Sequence, residues 1–182
     1  MTAGLAHFKL SVDRYEQMIR AGILTENDRV ELIRGELLDK MPIGDAHIEA
    51  VNCLTRKFAK LLDESVTVSI QNPLLLAASE PEPDVALYTR RLPGKARPVD
   101  VHLVVEVADS SLDLDRTVKL PLYAEAGIRE LWIVNLVDQQ IERYRQPQLD
   151  GTYADAENFQ RGSSIQPLDF PTVILAIDEI LG

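Results

Sequence analysis

Cysteine is almost missing from this chain: Cys53 is the only one among 182 residues. No intrachain disulfide can form, and a reducing, cytoplasmic setting is expected. Long apolar runs are missing too. Stretches such as Val101 to Val105 fall far short of the roughly 20 residues a bilayer-spanning helix needs. No basic start followed by an apolar stretch opens the chain, so neither a membrane segment nor a signal peptide is expected. Basic residues are scarce against acidic ones, 19 to 29, and the net charge is −10. A protein that coats nucleic acid without sequence preference depends on Lys and Arg contacts to phosphate, and this balance speaks against such a coat. It speaks less against an enzyme that gathers carboxylates around a metal and needs only a local basic rim. No glycine-rich phosphate loop or serine elbow occurs, which argues against an NTPase or an ordinary esterase. The three histidines, His7, His47 and His102, are dispersed without paired ligand spacing, so a zinc site is not expected.

What is present is an ordinary globular composition, 46% hydrophobic, over a length that suits a single domain spanning residues 1–182. Ser11 is placed to cap a first helix that Gly22 ends. Two short strands flank Gly35 between Arg29 and Asp39. Asp45 reads as the N-cap of a long helix reaching Asp63, with Ile48, Val51, Leu54, Phe58 and Leu61 on or beside its buried face. Strands follow at Val66–Ile70, Leu74–Leu76, Asp84–Tyr88 and Val101–Val107. A helix over Val118–Ala126 stops at Gly127, and Pro121 within it demands a late start or a kink. Strands at Leu131–Val134 and Ile141–Arg145 come next, and the last 30 or so residues read as a short strand pair with a closing tail. The class is α/β. The unit from Val101 to Val134 is long enough for a right-handed crossover between parallel strands.

Two acids interrupt the apolar strands. Glu106 ends Val101–His102–Leu103–Val104–Val105, and burying an unpaired carboxylate there costs several kcal/mol. It therefore needs a metal, a cation or exposure at the strand end. Asp84 follows Glu80–Pro81–Glu82–Pro83, whose prolines force an extended approach. Alone it reads as a strand-start charge. Together with Glu106 on a neighbouring strand it offers hard oxygens suited to Mg²⁺ or Mn²⁺. Lys119 reads either as a solvated charge in a first helical turn or as a cation folding back over the strand ends.

Pro83–Asp84, then Val104–Val105–Glu106–Val107–Ala108–Asp109–Ser110–Ser111, then Lys119, Tyr123, Gly127 and Glu130–Leu131–Trp132–Ile133–Val134 resemble the Uma-type family, described as putative restriction endonucleases of the PD-(D/E)XK nuclease superfamily. Glu31–Leu32–Ile33–Arg34–Gly35–Glu36–Leu37 resembles its N-terminal motif, and His47 falls where members often carry a histidine. The resemblance runs from about Tyr15 to Tyr144. It implies a restriction endonuclease-like mixed β-sheet core flanked by helices, and an Mg²⁺- or Mn²⁺-dependent endonuclease that hydrolyses DNA phosphodiester bonds. Asp84 and Glu106 would hold the metal with the Val107 carbonyl as a third ligand, Lys119 would orient or stabilise, and Glu31 would approach from the N-terminal segment. The superfamily lysine usually stands two residues past the acid, where this chain has Ala108, so Lys119 would be the displaced lysine. Asn135 and the lost proline after Ser110 also depart from common members. A homodimer, by the habit of the superfamily, would let both DNA strands be reached.

Arg90, Arg91, Lys95 and Arg97 form the best stretch for DNA backbone contacts, or else a solvated hairpin loop. His47, near the start of the long helix, could serve the site but is read mainly as a capping or packing residue. His102, on the strand face of Glu106, is read as hydrogen-bonding within the fold. Cys53 is read as an inert packed thiol, and Trp132 and Tyr123 as core aromatics. The rivals to an endonuclease are a nuclease-fold protein that binds nucleic acid or a protein without cutting, and a hydrolase of smaller phosphodiesters.

Overall fold

The computed structural model describes residues 8–90 and 94–182. Helix α1 (Val12–Arg20) is capped by Ser11, whose hydroxyl accepts the Arg14 N–H at 3.3 Å. A hairpin follows, β1 (Val30–Ile33) and β2 (Glu36–Asp39). It turns through Arg34 and Gly35, both with positive φ (49° and 80°), as a tight two-residue hairpin requires. Gly35 has a second reason to be glycine, since a Cβ there would stand 2.9 Å from Lys9 Cβ.

Helix α2 (Asp45–Leu61) starts one residue earlier than its sequence suggests: Gly44 is the N-cap, and Asp45 is the acid of the first turn. Its buried face carries Ala50, Val51, Cys53, Leu54 and Phe58, while Ile48 and Leu61 are nearly half exposed. Cys53 is packed as expected, its thiol donating to the Glu179 carbonyl at 2.9 Å.

Strands β3 (Val66–Ile70), β4 (Val85–Thr89), β5 (Val101–Ala108), β6 (Glu130–Asn135), β7 (Gln140–Pro147) and β8 (Tyr153–Gln160) pair side by side in that order as one mixed sheet. Only β5 and β6 are parallel. Leu74–Leu76 is not a strand; it contributes one bridge, from Leu74 to Ala96. The chain ends in a short pair, β9 (Ser164–Ile165) and β10 (Leu175–Ala176), and helix α5 (Ile177–Leu181).

The sheet is covered on both faces, which is why β5 and β6 read as continuous apolar runs. On one face α2, α5 and the β9–β10 pair close over Leu103, Val105, Val107 and Trp132. On the other, Ile33, Leu74, Leu122, Tyr123 and Ile128 pack on Val104, Ala108, Leu131 and Ile133. A register shift re-aims one residue. Pairing passes from Leu87–Leu103 to Tyr88–Val101, so His102 is the extra residue of a bulge. It therefore leaves the face of Glu106 and meets Phe170, which packs on the opposite core.

The connection from β5 to β6 is helical from Leu112, earlier than Val118. It runs as α3 (Leu112–Leu114), a π-helical turn (Asp115–Lys119) and α4 (Leu120–Glu125). The π turn answers the Pro121 problem, because it resets the hydrogen-bond ladder just before a residue that cannot donate to it.

Candidate active site

Asp84 and Glu106 meet because Val85 pairs with Val105 across antiparallel β4 and β5. That register sets Asp84 opposite Glu106. Asp84 is fixed by the Val107 N–H, which donates to Oδ2 at 2.8 Å. Glu106, only 3% exposed, accepts from Lys119 Nζ at 3.2 Å on Oε2 and from the Tyr123 hydroxyl at 2.6 Å on Oε1. Lys119 Nζ also lies 3.3 Å from Glu31 Oε1, and the Glu82 N–H donates to Glu31 Oε2 at 3.1 Å. Asp115 is buried in the same cluster and accepts the Ser111 hydroxyl at 2.7 Å. Lys119 is thus a buried cation shared between two acids and not a solvated first-turn charge.

Two residues of this cluster, Asp115 and Tyr123, do not stand out one at a time in the sequence. Their signal is collective. Ser111, Asp115, Lys119 and Tyr123 recur every fourth residue, so a helical backbone carries them on one stripe. Tyr123 is a core aromatic, as expected, and also the residue that ties one Glu106 oxygen.

The electrostatics are those of crowded acids. Burial pushes Glu106 well above the ordinary carboxylate range; Lys119 pulls it back, while Asp115, Asp84 and Glu31 push it further. The donors on both of its oxygens are those an ionised carboxylate attracts. Burial also raises Asp115, again opposed by Lys119. For Lys119 burial acts downward, yet Glu106, Glu31, Asp115 and Asp84 together push it above its ordinary value. Lys119 is therefore held as an ammonium ion. Burial acts to lower His47; Asp84 and the Val107 carbonyl outweigh it and raise the ring above 6.5. His47 Nε2 is buried 3.0 Å from Asp84 Oδ1, an ion-pair contact that stops short of a well-formed hydrogen bond.

These residues open on a cleft of about 310 Å³. Glu26, Glu31, Asp39, Glu82, Asp84, Glu106, Asp109 and Asp115 line it against Arg29, Lys40 and Lys119. Lys40 is itself paired with Glu82. Such a surplus of hard oxygens, with one buried ring nitrogen beside Asp84, suits a divalent cation. Among the described residues no three His, Cys, Asp or Glu side chains already stand as a ligand shell. The physical reason lies in Lys119, which takes the space between Glu31 and Glu106. Asp84, the Val107 carbonyl and His47 could reach an ion without touching Lys119, and Glu106 could do so through the lone pairs that its bonds to Lys119 and Tyr123 leave free.

The basic stretch lies elsewhere. Asp84 and Arg90 bracket β4, so the loop begins about 20 Å from the acids at 3.3 Å per residue. Arg90 is exposed beside Glu64, and Arg97 is exposed. Lys95 is paired with Glu16 and Glu80. Arg91 lies outside the described residues. At the cleft itself the exposed cation is Arg29, which sequence reasoning passed over.

The sheet order, the parallel β5–β6 pair and the helical cover define a restriction endonuclease-like α/β fold. A crystal structure titled as a putative nuclease belonging to DUF820, from Anabaena variabilis ATCC 29413, superposes with a TM-score of 0.75 over 94% of this chain and 97% of that one, at 13% identity. Residues 12–178 match the model of the Uma2 family, described as "putative restriction endonuclease". The chain belongs to that family. Among curated proteins none matches it.

Proposed function

We propose that the cleft is a divalent-metal centre, served by Mg²⁺ or Mn²⁺, for hydrolysis of DNA phosphodiester bonds. The observation that carries this reading is the convergence of Asp84, Glu106, Glu31 and a buried Lys119 in a cleft whose acids outnumber its cations. Asp84, Glu106 and the Val107 carbonyl are the proposed ligand groups. When bound, the ion would lower the pKa of a water and offset charge developing on the phosphate. Val107 N–H holds Asp84 in place, and Tyr123 and Lys119 hold Glu106, so the carboxylates are fixed before substrate arrives. Lys119 keeps its proton, which suits it to orient an anionic phosphate oxygen and not to act as a base. Glu31 shares Lys119 and so sets where that ammonium points. Arg29 meets the backbone at the cleft. Arg90, about 20 Å away, reaches the duplex about six base pairs from the cut, and Arg97 adds a contact from the same stretch. Lys95 adds to that contact only by leaving Glu16 and Glu80.

Nicking of supercoiled plasmid with Mg²⁺, Mn²⁺ or EDTA tests the reading. Asp84→Ala and Glu106→Ala should each abolish metal-dependent nicking while the chain still folds. Normal cleavage by either variant would remove that residue from the site. A second reading, a nuclease-fold binding module without catalysis, is favoured by one observation: both Glu106 oxygens are already taken by protein donors. Metal binding separates the two, since the module has no use for an ion.

A further inference from the structure

Helix α2 brings one side chain to the cleft that the acids alone do not explain. His47 stands in its first turn, and its buried Nε2 faces Asp84 Oδ1 at 3.0 Å without a well-formed hydrogen bond. A buried ring nitrogen facing a carboxylate without a well-formed hydrogen bond can exchange its proton for a cation shared with that carboxylate. The neighbouring Asp84 Oδ1 has only a long contact from Gln71 Nε2, at 3.4 Å. The separation of the two atoms is informative. Two donors about 2.1 Å from an octahedral ion and at right angles stand about 3 Å apart, and His47 Nε2 lies 3.0 Å from Asp84 Oδ1. The Val107 carbonyl flanks the same ring. Glu106, by contrast, has both oxygens engaged.

We propose that His47 ligates the metal ion through Nε2 beside Asp84, and that this nitrogen makes the site select a first-row transition ion such as Mn²⁺ over Mg²⁺. The inference rests on the metal-centre reading above and sharpens it. Imidazole binds transition ions readily, whereas Mg²⁺ is bound almost wholly through oxygen. A His-containing set therefore discriminates between two ions that an all-oxygen set would treat alike.

The test is calorimetric titration of the full chain with MnCl₂ and with MgCl₂, for the unmodified protein, His47→Gln, His47→Ala and Asp84→Ala. Electron spin-echo spectra of the Mn²⁺-loaded unmodified chain are recorded alongside. Expected are a tighter Mn²⁺ than Mg²⁺ site and nitrogen modulation in the spin-echo spectrum. Both His47 variants should lose at least about tenfold in Mn²⁺ affinity and much less in Mg²⁺ affinity, and Asp84→Ala should lose both ions. Mn²⁺ affinity unchanged in His47→Gln, with no nitrogen modulation in the unmodified chain, would overturn the His47 assignment and leave the metal centre standing. An unmodified chain that binds neither ion would overturn both. Should a variant fail to fold, the spin-echo spectrum of the unmodified chain decides alone.

Discussion

Two carboxylates on adjacent parallel strands have opposite fates. Glu130 opens β6, is fully buried, and is fully matched: Oε1 accepts from Trp132 Nε1 at 2.9 Å and from Arg145 Nε and Nη2 at 2.9 and 2.7 Å, and Oε2 accepts the Leu168 N–H. Glu106, near the end of β5, is almost as buried, yet the Lys119 it accepts from is shared with Glu31 and stands near Asp115 and Asp84. One acid has its own arginine and does not line the cleft of Glu106. The other belongs to a group of acids that outnumber their cations. Burial alone therefore does not mark a candidate acid; an uncompensated charge facing a cleft is the better candidate.

The largest effect should come from the matched acid. Glu130→Gln leaves Arg145 without its carboxylate and should cost about 3–5 kcal/mol in urea unfolding. A loss under about 1 kcal/mol would place Glu130 with Glu106 as a dispensable charge. Next is Glu80, buried against Lys95 on the strap that leads to Asp84. Burial, then Glu82, raises its carboxyl from 4.5 to about 7 even with Lys95 alongside. The folded chain thus binds this proton more tightly than the unfolded one. The resulting stabilisation is complete below about pH 4.5 and is lost as pH rises through about 7. Glu80→Gln should therefore gain on the unmodified chain between about pH 5 and about pH 8 in paired unfolding curves; a constant difference would deny the shift.

Glu106→Gln should be smaller in stability, within about 1.5 kcal/mol, because Tyr123 can still donate to the amide oxygen and Lys119 keeps Glu31. The same variant should lose nicking, so stability and activity part company at Glu106 and not at Glu130. Smallest of all, Arg90→Ala with Arg97→Ala should lower the salt dependence of duplex binding by about one unit per arginine, with nicking of a short duplex unchanged. An unchanged salt slope would return that stretch to a solvated loop.

Much of this comparison is legible in the sequence. Strands covered on both faces must be apolar throughout, so β5 and β6 declare themselves, and an acid within such a run stands out. Glu106 is visible for that reason, and Asp84, at the start of the neighbouring apolar run, only through its pairing with Glu106. The edge strand β8 was not, because most of Tyr153–Gln160 faces solvent and offers no apolar run. The burial of Lys119 was hidden as well, since Glu31 and Glu106 reach it from other elements. Only the alternative of a cation folding back over the strand ends points to it, and the four-residue recurrence from Ser111 to Tyr123 supports that alternative. His47 is legible only as a residue that could serve the site, because its 3.0 Å approach to Asp84 comes from a separate helix.

The most direct test of the idea that the cleft's excess acids await a cation is urea unfolding of the unmodified chain and Asp84→Asn, each with EDTA and with excess Mn²⁺. In EDTA the variant should match or exceed the unmodified chain, because one crowded charge is gone. With Mn²⁺ the unmodified chain should gain stability by mass action and the variant should not. An unmodified chain equally stable with and without the ion, and weakened by Asp84→Asn, would contradict it and make these acids a structural network like that of Glu130.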